Sequence, residues 1–227
     1  MLKSIKNLNR FEKCLWLVSV IVGSASFVMS GGRDWMSMAA SLIGVTALIF
    51  IAKGDVLGQI LTVVFSVFYA AISYRYRYYS EMITYIGMTA PIAVMSVITW
   101  LKNPYAEKQV KISSMTPIKA AALLVFTATV TVLFYFILKA LETPNLFFST
   151  ASIATSFAAS SLMLLRSPYY AVAYAMNDLV LIVLWVLASI SDISYLPMVM
   201  CFVMFFVNDM YGFKNWRIMK KEQKAAV

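Results

Sequence analysis

The 227-residue chain contains no histidine and only two cysteines, Cys14 and Cys201. Zinc and haem sites rely mainly on these residue types, and cysteines so far apart form no CxxC motif. No G-x-x-x-x-G-K-[ST] phosphate loop occurs either, which excludes ATP hydrolysis by that route. Cys201 also has no histidine that could activate it as a nucleophile, so an intramembrane enzyme is disfavoured. We therefore expect no metal, no cofactor and no catalytic residue.

Charged residues are scarce as well, at 13% against roughly 25% in soluble domains, whereas 62% of the chain is hydrophobic. Apolar runs near the bilayer-spanning length of about 20 residues recur along the whole chain. They are continuous and too long for the strands of a barrel. We predict an all-α polytopic membrane protein with eight transmembrane helices, at 14–30, 35–52, 56–74, 82–101, 118–138, 146–165, 168–190 and 194–213.

The net charge of +9 is distributed unevenly between the two sides of these helices. With the N-terminus inside, 15 of the 19 Lys and Arg residues fall on the cytoplasmic side and four on the outer side. This is a positive-inside bias, so we expect a protein of the cell (inner or plasma) membrane whose two termini both lie in the cytoplasm. The charge is therefore a topology signal, and we expect no nucleic-acid partner.

The loops after the first helix follow one pattern twice. The short turns at 53–55 and 166–168 each join the first two helices of a triplet, and Lys102-Asn103 and Lys214-Asn215 each end the third. Triplets separated by a single helix have the same orientation, which predicts a parallel repeat with a substrate site between the halves. Chance similarity of loops is the alternative. The expected units are a tail with the first helix (1–34), a triplet (35–103), a loop with a linker helix (104–145), a second triplet (146–216) and a basic tail (217–227).

Two Asn-Asp pairs, Asn177-Asp178 and Asn208-Asp209, lie within or beside long apolar runs. An ionised Asp at the bilayer centre costs roughly 2.5 to 3.5 kcal/mol on insertion scales, so such groups usually face a bundle interior or a water-filled path. The simpler interpretation is that they only join neighbouring helices through hydrogen bonds.

Polar side chains recur at helical spacing on the second and third helices of both predicted triplets. Lipid cannot satisfy such faces, so they meet each other or line a polar path. A tryptophan with amides and a carboxylate suits a neutral or cationic aromatic nucleoside, because amides pair with amides and hydroxyls and the indole stacks on rings. An anion would require Arg or Lys at mid-depth. The candidate substrate ligands are Gln59, Ser66, Tyr85, Asn177, Asp178, Trp185, Asn208, Asp209 and Tyr211.

Three other tryptophans, Trp35, Trp100 and Trp216, lie near predicted helix ends. Tryptophan is enriched at membrane–water interfaces, so we expect these three to belong to an interfacial aromatic belt.

Several longer motifs resemble the PnuC family of vitamin transporters. They are residues 78–85 (YYSEMITY), 100–104 (WLKNP), 177–185 (NDLVLIVLW) and 208–216 (NDMYGFKNW). The resemblance spans the chain from the second helix on. It implies a SWEET-like fold in which two parallel three-helix repeats are joined by a linker helix and preceded by an extra N-terminal helix. It also implies a homotrimer that transports nicotinamide riboside by facilitated diffusion, with trapping by cytoplasmic phosphorylation.

In that family, aromatic and amide side chains hold the substrate in mid-membrane. The matching positions here are Trp185, Asn177, Asn208, Tyr211 and Gln59. Some relatives have an aromatic residue four positions before the Asn of the last helix, where this chain has Met204. Transport of thiamine or riboflavin, proton coupling through Asp178 or Glu81, and a membrane scaffold subunit remain as alternatives.

Overall fold

The structure, a computed structural model, describes residues 8–32, 34–106 and 109–226. These residues form eight long apolar helices. This confirms the predicted all-α architecture and the number of spans. The helices are α1 (Arg10–Met29), α2 (Trp35–Ala52), α3 (Val56–Arg75), α4 (Tyr79–Lys102), α5 (Pro117–Ala140), α6 (Leu146–Leu164), α7 (Tyr170–Ser191) and α8 (Leu196–Ala225).

The first and last helices of the chain, α1 and α8, are longer than hydropathy predicts, each for a local reason. α1 begins at Arg10 because Asn9 and Glu12 form a capping box: the Asn9 side chain accepts from the Glu12 amide (2.8 Å), and the Glu12 carboxylate accepts from the Asn9 amide (2.7 Å). α8 continues past the predicted end at 213 to Ala225. Its polar continuation is rich in Lys, Arg, Glu, Gln and Met, which are good helix formers in water.

α4 is not a regular helix over its whole length. Residues Tyr85–Thr89 form a π-helical turn between two α-helical parts. Pro91 lies two residues after this turn. Because a proline lacks the N–H for the i−4 carbonyl and crowds that carbonyl with its ring, the preceding turn widens. Such π-bulges are frequent at functional sites.

Six helices close into a ring. Within the first triplet α2 packs on α3 and α3 on α4, and within the second α6 packs on α7 and α7 on α8. Contacts of α4 with α6 and of α8 with α2 join the two triplets. α1 packs outside the ring on α2 and α8, and α5 packs on α6 and is otherwise exposed along its length. The relation of the two triplets by an axis along the membrane normal stays a prediction.

The terminal face, where α1 begins and α8 ends, is closed by two buried tryptophans from the third helices of the triplets. Trp100 and Trp216 are 1% and 0% exposed, with ring centroids 5.5 Å apart. Trp216 donates from Nε1 to the Ile51 carbonyl at 2.8 Å, and its ring contacts that of Tyr170 at 4.6 Å. The expectation of an interfacial belt is therefore wrong for Trp100 and Trp216, because they pack against each other within the helix bundle.

A short hairpin ties the α4–α5 connection to the terminal face. Strands β1 (Pro104–Ala106) and β2 (Gln109–Val110) are antiparallel. The Val110 amide donates to the Gly54 carbonyl at 3.0 Å, and the Gln223 side chain donates to the Val110 carbonyl at 3.0 Å. Gly54 has φ +68° and lies against Met219 and Val110, so a side chain there would be strained and crowded. The polar end of α8 is thereby fixed to the loops.

The opposite face carries a second anchor, between the α1–α2 connection and the end of α3. The Asp34 carboxylate accepts from the Tyr76 hydroxyl at 2.8 Å and from the Ser37 side chain and amide. Burial would raise the pKa of Asp34, but these hydrogen bonds outweigh it and hold the pKa below its usual value. Burial and the bond to Asp34 raise the pKa of Tyr76 to about 12. Asp34 is thus a charged acceptor at neutral pH.

Candidate functional site

A buried polar cavity lies at the centre of the six-helix ring. Its volume is about 50 Å³, and a water needs about 10 to 15 Å³ by this measure, so it has room for a few waters. All six ring helices contribute to its wall. The lining residues are Gly44, Ala47, Leu48, Ile51, Gln59, Thr62, Phe65, Tyr85, Thr89, Met163, Tyr174, Asn177, Asp178, Phe205 and Asp209.

Two carboxyl groups from neighbouring helices meet on the cavity wall. Asp178 of α7 and Asp209 of α8 are 2% and 3% exposed, and both line this cavity. No hydroxyl, amide or backbone N–H of the described residues reaches Oδ2 of Asp178. None of the described residues in the cavity wall is Lys or Arg. Burial disfavours the ionised form of these carboxyl groups, and a cation that enters from outside would stabilise it, so the pair is suited to a cationic ligand.

Two further buried polar atoms of the cavity-lining residues lack a hydrogen-bond partner among the described residues. They are Nε2 of Gln59, on α3, and Oγ1 of Thr89, at the end of the π-turn. A buried donor without a partner costs about 1 to 3 kcal/mol, so native proteins rarely keep one without a reason. Because Gln59 and Thr89 both line the cavity, a polar ligand or water would satisfy them.

The amide of Asn177 is oriented from outside the cavity by two hydroxyls of α6. Thr155 and Ser156 donate to its Oδ1 at 2.8 and 2.9 Å. The carbonyl side of the amide is therefore occupied, and Nδ2 is the group left to donate to a ligand. Thr155 and Ser156 of α6 thus set the direction of the amide and have a positioning role.

Aromatic rings form the apolar part of the wall. Phe65 lies between Phe205 (centroids 5.3 Å apart) and Tyr85 (5.8 Å apart). Phe205 reaches this position because α2 has Gly44 opposite it: a Cβ on Gly44 would lie 2.8 Å from Cε1 of Phe205 and 3.1 Å from Cδ2 of Phe65. The rings offer faces on which a planar heteroaromatic ligand could stack.

Five of the nine candidate ligands predicted from the sequence line this cavity together: Gln59, Tyr85, Asn177, Asp178 and Asp209. Trp185 does not. Its indole is 0% exposed, donates from Nε1 to the Tyr69 hydroxyl at 2.8 Å, and packs among rings nearer the opposite face. These rings include Tyr78 and Tyr195, with centroids 5.0 and 5.8 Å from that of Trp185.

The other three candidates face neighbouring helices. Asn208 donates from Nδ2 to Ser19 of α1 at 3.2 Å and to the Met204 carbonyl at 2.7 Å. Tyr211 donates to Oε1 of Glu12, also on α1, at 2.8 Å. Ser66 donates to the backbone of its own helix and lies off the cavity. Asn208 and Tyr211 thus attach α8 to α1 rather than to the ring centre.

The cavity wall includes several residues that were not among the predicted candidates, such as Phe65, Tyr174 and Phe205. Helical spacing would have found two of them. Phe205 lies four residues before Asp209 and Tyr174 four before Asp178, so each shares a helical face with a carboxylate. Phe65 carries no such signal, because an apolar ring on an apolar helix resembles any packing residue.

No group of three or more His, Cys, Asp or Glu residues able to hold a metal ion occurs in the described part of the chain. The cavity wall offers two carboxyl groups, two amides and several hydroxyls. Such a wall can bind a polar or cationic organic molecule through hydrogen bonds and charge.

Three comparisons agree with this architecture. The family described as "Nicotinamide mononucleotide transporter" matches residues 34–218. A curated protein from Neisseria mucosa, "Nicotinamide riboside transporter PnuC", is 23% identical over 223 residues, which cover 94% of this chain and 83% of that protein. The crystal structure of "the Vitamin B3 transporter PnuC" superposes with a TM-score of 0.84 at 22% identity, covering 96% of this chain and 94% of that one, so the folds are the same.

Proposed function

The chain belongs to the nicotinamide mononucleotide transporter family, the PnuC family of multi-pass membrane transporters, and we propose that it carries nicotinamide riboside. The observation that supports this most is the carboxyl pair of Asp178 and Asp209 in a cavity wall with no Lys or Arg among its described residues. The pyridinium ring of nicotinamide riboside is a cation, and a buried cation requires an opposite charge. The curated relative from Neisseria mucosa is named for the same substrate.

The same wall argues against the phosphorylated nucleotide as substrate. A phosphate is bound in proteins mainly through Arg, Lys or helix N-termini, and here it would meet Asp178 and Asp209 instead. Placing like charges together costs several kcal/mol. We therefore assign the riboside, rather than the mononucleotide of the family's description, to this chain.

Each part of the substrate has a chemical counterpart in the wall. The rings of Phe65, Tyr85 and Phe205 would stack on the pyridinium, which also gains from the cation–π effect. The free donors of Gln59 and Asn177 would bond the carboxamide oxygen and the ribose hydroxyls. The carboxyl pair would neutralise the ring charge.

Transport requires the ring of helices to open, because the cavity is too small for the substrate in this conformation. Ligand pockets measure about 300 to 1,000 Å³, against about 50 Å³ here. Buried aromatic layers close both ends: Trp100 with Trp216 towards the terminal face, and Tyr69 with Trp185 towards the opposite face. We propose that rocking of the two triplets loosens these layers alternately, with the substrate held between them.

We assign uniport by facilitated diffusion, with trapping of the substrate by a separate phosphorylating enzyme in the cytoplasm. Purified protein in liposomes, with the membrane potential clamped at zero by equal potassium and valinomycin, should equilibrate labelled nicotinamide riboside without accumulating it. An imposed pH gradient should leave the final level unchanged. Accumulation driven by that gradient would instead establish proton coupling and overturn uniport.

The substrate itself is tested by calorimetric titration of the detergent-purified protein with nicotinamide riboside, its mononucleotide, thiamine and riboflavin. We expect the riboside to bind and the mononucleotide not to. Asn177→Ala should weaken binding about tenfold, because it removes roughly one hydrogen bond of 1.5 kcal/mol. The matched control Asn208→Ala changes an amide that faces α1 and should bind like the wild type.

The rival functions predict different titrations. Binding of thiamine or riboflavin alone would keep the transporter and change its substrate. Binding of none of the four compounds would favour a scaffold subunit whose polar faces serve only to join helices.

We further propose a cell membrane location with both termini in the cytoplasm, and assembly as a homotrimer. The terminal face supports the orientation, since its described loops and helix ends carry most of the Lys and Arg residues. The exposed length of α5 leaves room for contact between copies. Protease accessibility of a C-terminal tag in sealed right-side-out vesicles tests the orientation, and light scattering of the detergent-purified protein tests the trimer. Cleavage from outside, or the mass of one copy, would refute them.

A further inference from the structure

A second concave site, distinct from the central cavity, lies at the terminal face beside the polar end of α8. Its volume is about 170 Å³. Four basic residues of α8 spaced i, i+3, i+4 and i+7, which places them on one helical face, line it together with the α6–α7 connection. We call it the basic groove; its lining residues are Pro168, Tyr169, Phe213, Arg217, Lys220, Lys221 and Lys224.

The charge of the basic groove is not neutralised by the protein. Among the described residues the ion pairs are those of Lys53 with Glu12 and of Arg75 with Asp34, and neither involves the groove. Like charges three or four residues apart on a helix repel one another. The arrangement therefore lowers helix stability, and an anion in the groove would reverse that effect.

One end of the basic groove is aromatic. The Arg217 guanidinium lies 5.5 Å from the centre of the Phe213 ring, and the rings of Tyr169 and Phe213 are 6.3 Å apart. Tyr169 is half exposed. A ligand that fits this groove has an anionic head beside an apolar body.

The depth of the groove matches that description. The apolar part of α8, residues 196–213, is about 27 Å long at 1.5 Å per residue, close to the hydrocarbon thickness of about 30 Å. Phe213 and Tyr169 therefore lie at the hydrocarbon boundary. Arg217 is about 6 Å further along the helix, at the level of lipid headgroups, which extend about 5 to 8 Å on each side. Lys224 is about 17 Å further along, so it lies roughly 10 Å beyond the headgroups, about one Debye length from the charged surface.

We propose that the basic groove binds the phosphate-bearing headgroup of an anionic phospholipid, with the acyl chains beside Tyr169 and Phe213. Clusters of four or more basic residues directly beyond a membrane span are suited to anionic lipid. The next residue after Tyr169, Tyr170, packs on Trp216 of the terminal-face layer. A bound lipid would therefore brace the start of α7 against α8, and this role is independent of the transported substrate.

The test is a titration of the detergent-purified full-length chain with short-chain (dioctanoyl) phosphatidylglycerol, read out as the rise in apparent unfolding temperature. Phosphatidylcholine of the same chain length and inorganic phosphate serve as separate arms. The groove variant is R217Q/K220Q/K224Q. Its matched control, K102Q/K111Q/K119Q, removes three charges from the same face outside the groove.

Phosphatidylglycerol should stabilise the wild type and the control, and the two other compounds should not. A basic residue near an anionic surface contributes roughly a fivefold gain, so the groove variant should bind on the order of 100-fold more weakly. The charge-preserving variant K220R/K221R/K224R should respond like the wild type, which separates loss of charge from misfolding.

Three results would overturn the proposal. Equal weakening in the groove variant and in its control would show that the charge acts without a site. Equal stabilisation by inorganic phosphate would identify a soluble anion as the ligand. No response of the wild type to phosphatidylglycerol would show that the groove takes no lipid.

Discussion

Replacing Gly44 by alanine tests whether the central cavity depends on close packing between α2 and α8. A Cβ at this position would lie 2.8 Å from Cε1 of Phe205 and 3.1 Å from Cδ2 of Phe65, and closer still to the tip of the Phe205 ring. The Phe205 ring must therefore move, and the space open to it is the cavity of about 50 Å³. Overpacking of this kind costs about 1 to 3 kcal/mol.

Gly23→Ala is the matched control. Gly23 lies within helix α1, and the atom nearest to a Cβ there is Cβ of Ser41 at 3.8 Å, an ordinary van der Waals contact. Both substitutions gain the same helix propensity of about 1 kcal/mol, so their difference isolates the cost of displacing the ring. We expect Gly44→Ala to be less stable than Gly23→Ala by about 1 to 3 kcal/mol.

Two assays measure the effect. The apparent unfolding temperature should be lower for Gly44→Ala than for Gly23→Ala by roughly 2 to 12 °C, at about 2 to 4 °C per kcal/mol for a chain of this size. Affinity for nicotinamide riboside should fall in Gly44→Ala alone, because the displaced Phe205 ring occupies the site. Equal unfolding temperatures together with equal affinities would refute the packing that we describe around Phe205.

Three further predictions concern the contacts that hold the bundle together. Glu12→Gln removes the charge that faces Lys53 at 3.0 Å; because the Lys53 side chain is 25% exposed, we expect the unfolding free energy to fall by about 2 kcal/mol, and an unchanged unfolding free energy would contradict this. Asp34→Asn should lower the free energy of unfolding at neutral pH. Because the pKa of Asp34 is lowered in the folded state, acid removes its stabilising effect, and the difference between variant and wild type should vanish as the pH falls well below about 4. A difference that does not depend on pH would contradict the bond to Tyr76. Trp216→Phe loses one buried hydrogen bond and should cost about 1 kcal/mol in thermal unfolding, with the substrate-binding enthalpy unchanged; a changed enthalpy would place Trp216 at the substrate.

Most of the fold could be predicted from hydropathy alone, because a bilayer sets the length of each span. The predicted segment 35–52 coincides with Trp35–Ala52, and the segment 56–74 differs by one residue from Val56–Arg75. The length of α8 could not be predicted in this way, since its last dozen residues are helical but polar. Hydropathy reports where a helix leaves the hydrocarbon, and helix propensity reports where it ends.

The candidate site was only half predictable, because hydropathy does not fix the rotation of a helix about its axis. Adjacent residues on a helix point about 100° apart. On α7 both Asn177 and Asp178 reach the cavity, whereas on α8 Asp209 reaches it and Asn208 turns to α1. Asn208 and Tyr211 of α8 bond α1, which lies outside the ring. The α8 sequence alone does not show which of its polar side chains face α1 and which face the cavity.

Trp185 shows that the depth of a residue along a helix is equally hard to predict from the sequence. It shares a polar face of α7 with Asp178, but it lies seven residues along the helix, or about 10 Å nearer the opposite face. There it packs with tyrosines from the α3–α4 region and donates to Tyr69. A shared helical face predicts direction but not depth, so it cannot separate a residue in the site from one in the layer above it.

The central claim is that the carboxyl pair of Asp178 and Asp209 recognises the positive charge of the substrate. The most direct test is a calorimetric titration with nicotinamide riboside and with its reduced dihydro form, which has nearly the same shape but no ring charge. We predict at least tenfold tighter binding of the cation by the wild type, and loss of this preference in D178N/D209N. Equal affinities for both forms in the wild type, or a preference that survives in the double variant, would contradict it.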